Sequence, residues 1–330
     1  MSRKPLFIVW CKHSRRAETL ATELGARVSF QYEMRLKGRW LTPLRYAVQC
    51  WKTWRLLEHE QPEVVIVQVP PVFALLIVVI WCKVPRKTTS SRVPYVIDCH
   101  TGTFCDPRWR WALPLQCWLS RGSLVSLVAS EAALSVLQQW KVRGLFLIDG
   151  LPTLVPSASV IGLEGKKRVA VISGFGTDEP VTEIFASARL LPHVTFYFSG
   201  DAKRLPPKVV TQKPENVILT GFLQDNEYVG LLTNVQGVVD LTNEPTILTC
   251  GTYEALAVGK PAVVSDWPQI KRYFPLGFVH VNNTPEEIAA GIKRMLDEEI
   301  KLAAEVVIMR KELVTRRQPL LEELTALLKQ

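Results

Sequence analysis

The chain has 330 residues, a length that suits two domains of ordinary size. Hydrophobic content of 48% against 22% charged, with ten tryptophans, excludes a disordered chain and describes a packed one. A net charge of +9 attracts phosphates, which admits nucleic acid, an anionic membrane surface or a phosphorylated small molecule; no zinc finger, RNA-recognition signature or helix-turn-helix pattern accompanies it, so nucleic acid comes last.

The seven cysteines are odd in number and include no CxxC pair and no metal-ligand cluster with histidine, as expected of reduced cytosolic thiols. Residues 6–11 are apolar but too few for a signal peptide, and they predict the first strand. Further β-rich runs at 27–30, 64–69, 95–98, 124–129 and 145–148 alternate with helical patterns at 16–24, 44–58, 72–83, 112–119 and 132–140. Such alternation argues a parallel, doubly wound sheet. The apolar run 69–82 is shorter than the roughly twenty residues that span a bilayer, and it predicts a buried helix behind that sheet ahead of a membrane-inserted hairpin. On the 44–58 helix, Arg45, Lys52 and Arg55 share a face opposite Leu44, Val48, Trp51 and Trp54. That pattern fits peripheral contact with an anionic membrane as well as an ordinary amphipathic surface helix.

Around 152–165 the composition shifts to Pro, Ser and Gly without periodicity, which predicts a linker. The strand rhythm then restarts at 168–173, 195–199, 216–220, 237–241, 262–265 and 278–281. Thr284-Pro285-Glu286-Glu287 has the form of a capping box opening a helix to 296, and helical spacing continues to the end with a break at Pro319. The expectation is an α/β protein of two Rossmann-like domains, 1–155 and 156–330, facing across a cleft, with the last helix packing back on the first. Ligands in such sheets gather at the carboxyl ends of the strands.

Candidate site residues lie at those ends. His100 stands just beyond the 95–98 strand, where an imidazole carries a proton or bonds a sugar hydroxyl; satisfying loop carbonyls is the competing reading. Lys12 to Arg16 occupy the end of the first strand, with Ser14 as a helix cap, and serve either an acceptor's phosphate or a solvated helix start. Ser173-Gly174-Phe175-Gly176-Thr177 follows a strand, and its glycines permit either close approach to a ligand or merely a tight turn. Its spacing is neither a dinucleotide fingerprint nor a Walker motif. Residues 249–266 set Glu254 on a short helix that begins past a strand end and stops at Gly259. The start of such a helix suits a phosphate, and a carboxylate one turn in suits sugar hydroxyls.

With the glycine turn at 173–177, Gly221-Phe222-Leu223 and Tyr253-Glu254-Ala255-Leu256-Ala257-Val258-Gly259-Lys260-Pro261, the chain resembles GT-B glycosyltransferases, family 4 (group 1) most of all. The resemblance implies that Glu254 binds the donor ribose and that N–H groups near 247–251 hold the diphosphate. It further implies that the turn at Gly174 lines the phosphate side, that Gly221 and Phe222 approach the base, and that His100 lies beside the transferred sugar. The implied set is therefore His100 and Glu254 as catalytic residues, with Gly174, Phe175, Thr177, Gly221, Phe222, Thr246, Leu248, Thr249, Cys250, Gly251 and Glu254 on the nucleotide sugar. Two features depart from the family. Thr246 takes the place of a second glutamate, and Lys203 and Arg204 are the candidates for the Arg and Lys pair that neutralises the leaving diphosphate.

The expected activity is transfer of a sugar from a nucleotide diphosphate sugar to a glycan or lipid-linked acceptor in polysaccharide or glycoconjugate assembly. It needs no metal or other cofactor, and the protein is cytoplasmic, peripheral at the inner face of the membrane. A nucleotide-sugar epimerase of the same architecture, or a catalytically silent scaffold binding an anionic partner, are the alternatives.

Overall fold

Short strands that are apolar on both sides belong in a sheet covered on both faces, and the runs at 6–9, 65–69, 95–99, 125–128, 237–240 and 262–265 are buried throughout. A computed structural model describes residues 4–33, 39–84, 92–100, 102–155 and 162–329. The first set of elements is β1 (Leu6–Val9), α1 (Arg15–Glu23), β2 (Arg27–Phe30), α2 (Thr42–Glu60), β3 (Val65–Val69), α3 (Val72–Lys83), β4 (Tyr95–Cys99), α4 (Gly102–Cys105), α5 (Leu113–Ser120), β5 (Val125–Val128), α6 (Glu131–Gln139) and β6 (Gly144–Phe146). They build a parallel sheet in the order β2-β1-β3-β4-β5-β6. One face is covered by α2, α3, α5 and α6, whose buried residues include Leu57, Leu75, Leu119 and Leu137.

The second set is β7 (Lys167–Val171), α7 (Val181–Leu190), β8 (Val194–Ser199), α8 (Pro207–Val210), β9 (Val217–Gly221), α9 (Asp225–Asn234), β10 (Gly237–Asp240), α10 (Cys250–Val258), β11 (Ala262–Ser265), α11 (Pro268–Tyr273), β12 (Phe278–Val281), α12 (Pro285–Asp297) and α13 (Glu299–Leu328). Its sheet is also parallel, in the order β12-β11-β10-β7-β8-β9. That is the doubly wound order in which chain direction reverses between β7 and β10, and the crevice outside the carboxyl ends of that pair is where such sheets take ligands.

The chain divides into two units, 1–150 together with 316–330, and 151–315. The division thus falls at 150 rather than 155, and the last fifteen positions belong with the first unit. Side-chain chemistry explains the second point. Arg317 is buried, donates through Nε and Nη2 to both oxygens of Glu23 at 3.0 and 2.5 Å, and bonds the carbonyl of Ile148. Beyond it, Leu324 and Leu327 pack with Phe7, Leu20, Ile66 and Leu127 on the sheet face that α1 covers.

Three local expectations need correction. α13 runs through Pro319 without a break, although an interior proline removes a backbone donor and costs about 3 kcal/mol. Burial of Leu324 and Leu327 offsets that cost. At α12, Thr284 accepts from the Glu287 N–H at 3.4 Å, but Glu287 reaches back to the amide and side chain of Asn282 rather than to Thr284, so the box is half formed. The full reciprocal box is at α9, between Gln224 and Glu227.

On α2 the inward face carries two buried polar residues, Gln49 and Thr53, beside Leu57. Thr53 accepts from the Trp10 indole at 2.9 Å and Gln49 donates to the Gln31 carbonyl at 2.6 Å, both within the first unit. Those bonds turn Leu44, Ala47 and Trp51 outward together with Arg55.

Candidate functional site

β10 ends in a carboxylate that organises everything after it. Asp240 is buried at the switch point and accepts from the hydroxyls of Thr249 and Thr252, the latter at 2.8 Å. Thr249 is the residue before α10 and Thr252 lies in its first turn, so Asp240 binds the start of the helix to the end of the strand. Gly251 permits that approach, since a Cβ there would lie 2.7 Å from the Asp240 carboxyl carbon. Burial pushes the Asp240 carboxyl up to about 6 against the lowering effect of the threonine bonds, and the nearby charge of Glu179 raises it further.

Glu254 sits one turn into α10, is 6% exposed, and accepts the phenol of Tyr228 on α9 at 2.5 Å. α10 ends as expected at Gly259, in the left-handed region at φ 74°. Around the start of α10, Thr246, Leu248 and Thr249 are half-buried, Cys250 is exposed and Gly251 is buried. Thr246 donates to Glu244 at 3.0 Å, so the hydroxyl in the expected second carboxylate's place is turned onto a carboxylate nearby.

The turn after β7 lies across the switch point. Its N–H groups converge on the chain's own carboxylate: Gly174 donates to Glu179 at 2.9 Å, Phe175 at 3.0 Å, and the Ser173 hydroxyl joins them. The left-handed residue is Phe175, at φ 53°, and its ring is buried against Phe198 in the core. Phe175 therefore offers only its backbone, Gly174 is exposed, and Thr177 is exposed at the turn's rim. Arg204, one of the two cations considered for the diphosphate, donates to the Gly174 carbonyl at 2.8 Å.

Neighbouring loops join this turn. Asp178 accepts the Asn243 N–H at 2.6 Å through its carbonyl, which ties the loop after β7 to the loop after β10. Gly200 donates to the Gly221 carbonyl at 3.1 Å, and a Cβ on Gly200 would meet the Ser173 carbonyl oxygen, so the ends of β7, β8 and β9 close together. Gly221 itself is left-handed at φ 74°, and Phe222 after it is largely exposed. The structure thus gathers Gly174, Gly221 and the start of α10 at one edge of the second sheet.

His100 belongs to the first unit. Its N–H donates to Val69 at 2.9 Å and its carbonyl accepts from Thr103 at 2.8 Å, which fixes the backbone. Burial holds the imidazole below its ordinary value, opposed by Asp98 and Asp149 and assisted by Arg16. Arg16 is not a solvated cation. It is buried, donates to Asp98 at 2.8 Å, bonds Asp149, and reaches the Leu147 carbonyl at 3.1 Å. Burial disfavours its charge, and Asp98 followed by Asp149 outweighs that, holding the guanidinium above its ordinary range. Ser14 does cap α1, accepting from the Ala17 N–H at 3.3 Å.

Sequence reasoning missed Asp240, Glu179 and Tyr228. For Asp240 the signal was present, an acid ending an apolar strand with threonines at 249 and 252. Tyr228 lies 26 positions from Glu254, and nothing local pairs them. Among the described residues no group of three His, Cys, Asp or Glu side chains could hold a metal ion, and no helix is long and apolar enough to cross a membrane.

Comparison with known proteins agrees with this architecture. The glycosyl transferase-like family model matches residues 181–318. HepE of Anabaena, solved with UDP and glucose, superposes with a TM-score of 0.72 at 16% identity over 98% of this chain and 99% of its own. Sucrose-phosphate synthase of Thermosynechococcus elongatus gives 0.69 at 10% identity over 99% and 98%. A putative UDP-N-acetylglucosamine 2-epimerase of Listeria monocytogenes gives 0.62 at 12% identity over 92% and 91%. No curated protein sequence matches the chain. Residues 181–318 thus form a glycosyl transferase-like region, in a chain with the two-domain α/β fold of GT-B glycosyltransferases.

Proposed function

We propose that the protein transfers a sugar from a nucleotide diphosphate sugar to a glycan or lipid-linked acceptor, with the donor held on the second unit at the switch point. The observation that carries this is the placement of Glu254 within the first two turns of α10, the helix that begins beyond β10, inside the region that matches the glycosyl transferase-like family. On this reading Glu254 takes the ribose hydroxyls, and Tyr228 fixes its carboxylate. The diphosphate lies between the start of α10 and the turn at Gly174, where Arg204 is the available cation. Charge that builds on the leaving diphosphate is met by oriented N–H donors and that guanidinium. His100, kept neutral by burial, bonds the transferred sugar or the acceptor. The reading includes no metal cofactor, and it places the protein in the cytoplasm at an anionic leaflet, where a lipid-linked acceptor is met. The family 4 assignment is part of the same proposal.

Calorimetric titration with UDP, GDP and ADP, for the wild type and for Glu254→Gln, tests the donor site. UDP comes first because HepE was solved with it. One nucleotide should bind the wild type and bind the variant roughly ten-fold more weakly, the loss of a charged hydrogen bond. Equal affinity in both proteins would remove Glu254 from the site. An epimerase is the second reading, favoured by the fold shared with the Listeria protein. Incubating the donor sugar without acceptor separates the two: an isomerised sugar nucleotide means epimerase, and an unchanged one means transferase.

A further inference from the structure

Three helices of the first unit form one outer layer. α2, α3 and α5 contribute Leu57, Leu75 and Leu119 to the same apolar cluster over the sheet. Ring contacts set their order: Tyr46 of α2 lies 5.0 Å from Phe73 of α3, and Phe73 lies 6.0 Å from Trp111, two residues before α5. At the other end, Trp81 of α3 donates to Glu58 of α2 at 2.8 Å, and the Lys83 ammonium stands 5.2 Å from the Trp118 ring of α5. The starts of all three helices are therefore together and so are their ends. They run side by side in one direction, with α3 in the middle.

Away from the sheet this layer shows side chains that a finished surface hides. Trp51 is 62% exposed, Trp111 60% and Trp118 58%, and Trp40, just before α2, is 95% exposed. Four of the ten tryptophans thus stand exposed on or just before these three helices, as do Leu44 and Ile80. Isolated exposed apolar residues need no explanation, but a contiguous set signals a partner. α2 is not simply waiting for another rotation, because its inward polar residues Gln49 and Thr53 are bonded to Gln31 and Trp10.

The charge on the layer identifies the occupant. The Arg55 guanidinium lies 5.9 Å from the Trp51 ring, Lys83 stands by Trp118, and the exposed Arg110 adjoins Trp111. Opposing them is Glu58, while Asp106 is already paired with Arg108 at 2.6 Å. A second copy of the chain on this face would set the same cations against each other about a twofold axis. Tryptophan tips ringed by cations match the boundary between lipid headgroups and acyl chains, where indoles bury their rings and keep the N–H wet. We propose that the α2, α3 and α5 layer is the surface by which the protein lies on an anionic bilayer, its tryptophans at that boundary and Arg55, Lys83 and Arg110 on lipid phosphates. This extends the transferase reading by naming the surface that meets a lipid-linked acceptor, and it rests on that reading for the acceptor alone.

Full-length protein is sedimented with vesicles of phosphatidylglycerol and phosphatidylcholine, and with phosphatidylcholine alone, at low and high salt. The expected result is binding to the anionic vesicles that weakens with salt, with a blue shift of tryptophan emission. Trp51→Ala combined with Trp118→Ala should lower partitioning about ten-fold per residue, and Lys83→Glu or Arg110→Glu at least about five-fold each. Circular dichroism melts check that these surface variants keep the wild-type fold. UDP titration of the same variants keeps the two readings apart: lost vesicle binding with intact nucleotide binding locates the surface, and vesicle binding without nucleotide binding overturns the transferase alone. Absence of vesicle binding, equal binding to neutral vesicles, or a sedimentation-velocity dimer broken by the tryptophan pair would each overturn the membrane assignment.

Discussion

Asp240 makes the stability of the second unit depend on pH in a direction opposite to that of most carboxylates. Burial lifts its carboxyl to about 6 from an ordinary 3.8, outweighing the bonds from Thr249 and Thr252, and Glu179 adds to the rise. Below the ordinary value both folded and unfolded chains hold the proton. Between the two values the unfolded chain has released it and the folded chain has not, so the folded state binds more protons and stability falls as pH rises. Above about 6 the loss is complete. A gap of about two units corresponds to about 3 kcal/mol.

Asp240→Asn keeps a carbonyl oxygen for the threonine hydroxyls and has no proton to release. Relative to wild type, its unfolding free energy should therefore rise by about 3 kcal/mol between pH 4 and pH 7. Trp267 is the one tryptophan between 151 and 315, and its indole donates to the Thr242 carbonyl at 2.8 Å, two residues past Asp240. Fluorotryptophan labelling and 19F NMR in urea series at several pH values therefore follow this unit by itself. Parallel stability curves for the two proteins across that interval would refute both the raised carboxyl and its cause.

Two further substitutions probe the contacts that place the site and the final helix. Tyr228→Phe deletes the phenol that donates to Glu254 at 2.5 Å and should weaken nucleotide binding roughly ten-fold in calorimetry, while a thermal melt stays close to wild type. Arg317→Met leaves Glu23 and the Ile148 carbonyl without their donor, and partial exposure of Glu23 limits the loss to about 2 kcal/mol; urea unfolding of the first unit reads it, and an unchanged midpoint would deny Arg317 a docking role.

Strand positions were legible because the inner strands β1, β3, β4, β5, β10 and β11 are short, mainly apolar runs buried throughout, and parallel crossovers leave few ways to connect such runs. Other features depended on contacts distant in sequence. α2 gave the wrong outward face because its buried side holds Gln49 and Thr53, whose partners Gln31 and Trp10 no helical periodicity reveals. Arg16 read as one of several cations serving an acceptor's phosphate or a solvated helix start for the same reason, since Asp98 and Asp149 lie 82 and 133 positions away. Pro319 read as a break because the local rule omits the leucines beyond it that hold the helix against the first unit. In the candidate site, the glycine turn read as a close approach to a ligand or a tight turn, and the helix start as a place for a phosphate. The anions found there, Glu179 and Asp240, belong to the protein itself.

Those internal carboxylates set a condition on how a nucleotide diphosphate binds. Glu179 and Asp240 already take N–H and hydroxyl donors of the turn and of the helix start, and they are close enough for the charge of one to raise the other. A diphosphate brought to the same donors adds negative charge to a region where Glu254 is a third acid. The least costly relief is protonation of Asp240, whose carboxyl at about 6 is already within reach of neutral pH. Once protonated, Asp240 no longer competes as a charge for the start of α10 and itself becomes a donor. Binding should then take up a proton, and by linkage nucleotide affinity should rise as pH falls from 8 toward 6. Titrations in buffers of different ionisation enthalpy measure that uptake directly. Asp240→Asn, which holds no charge to neutralise, should bind without it and with affinity nearly independent of pH over this interval. Equal proton uptake in both proteins would mean that another group, and not the acid at the end of β10, gives way to the diphosphate.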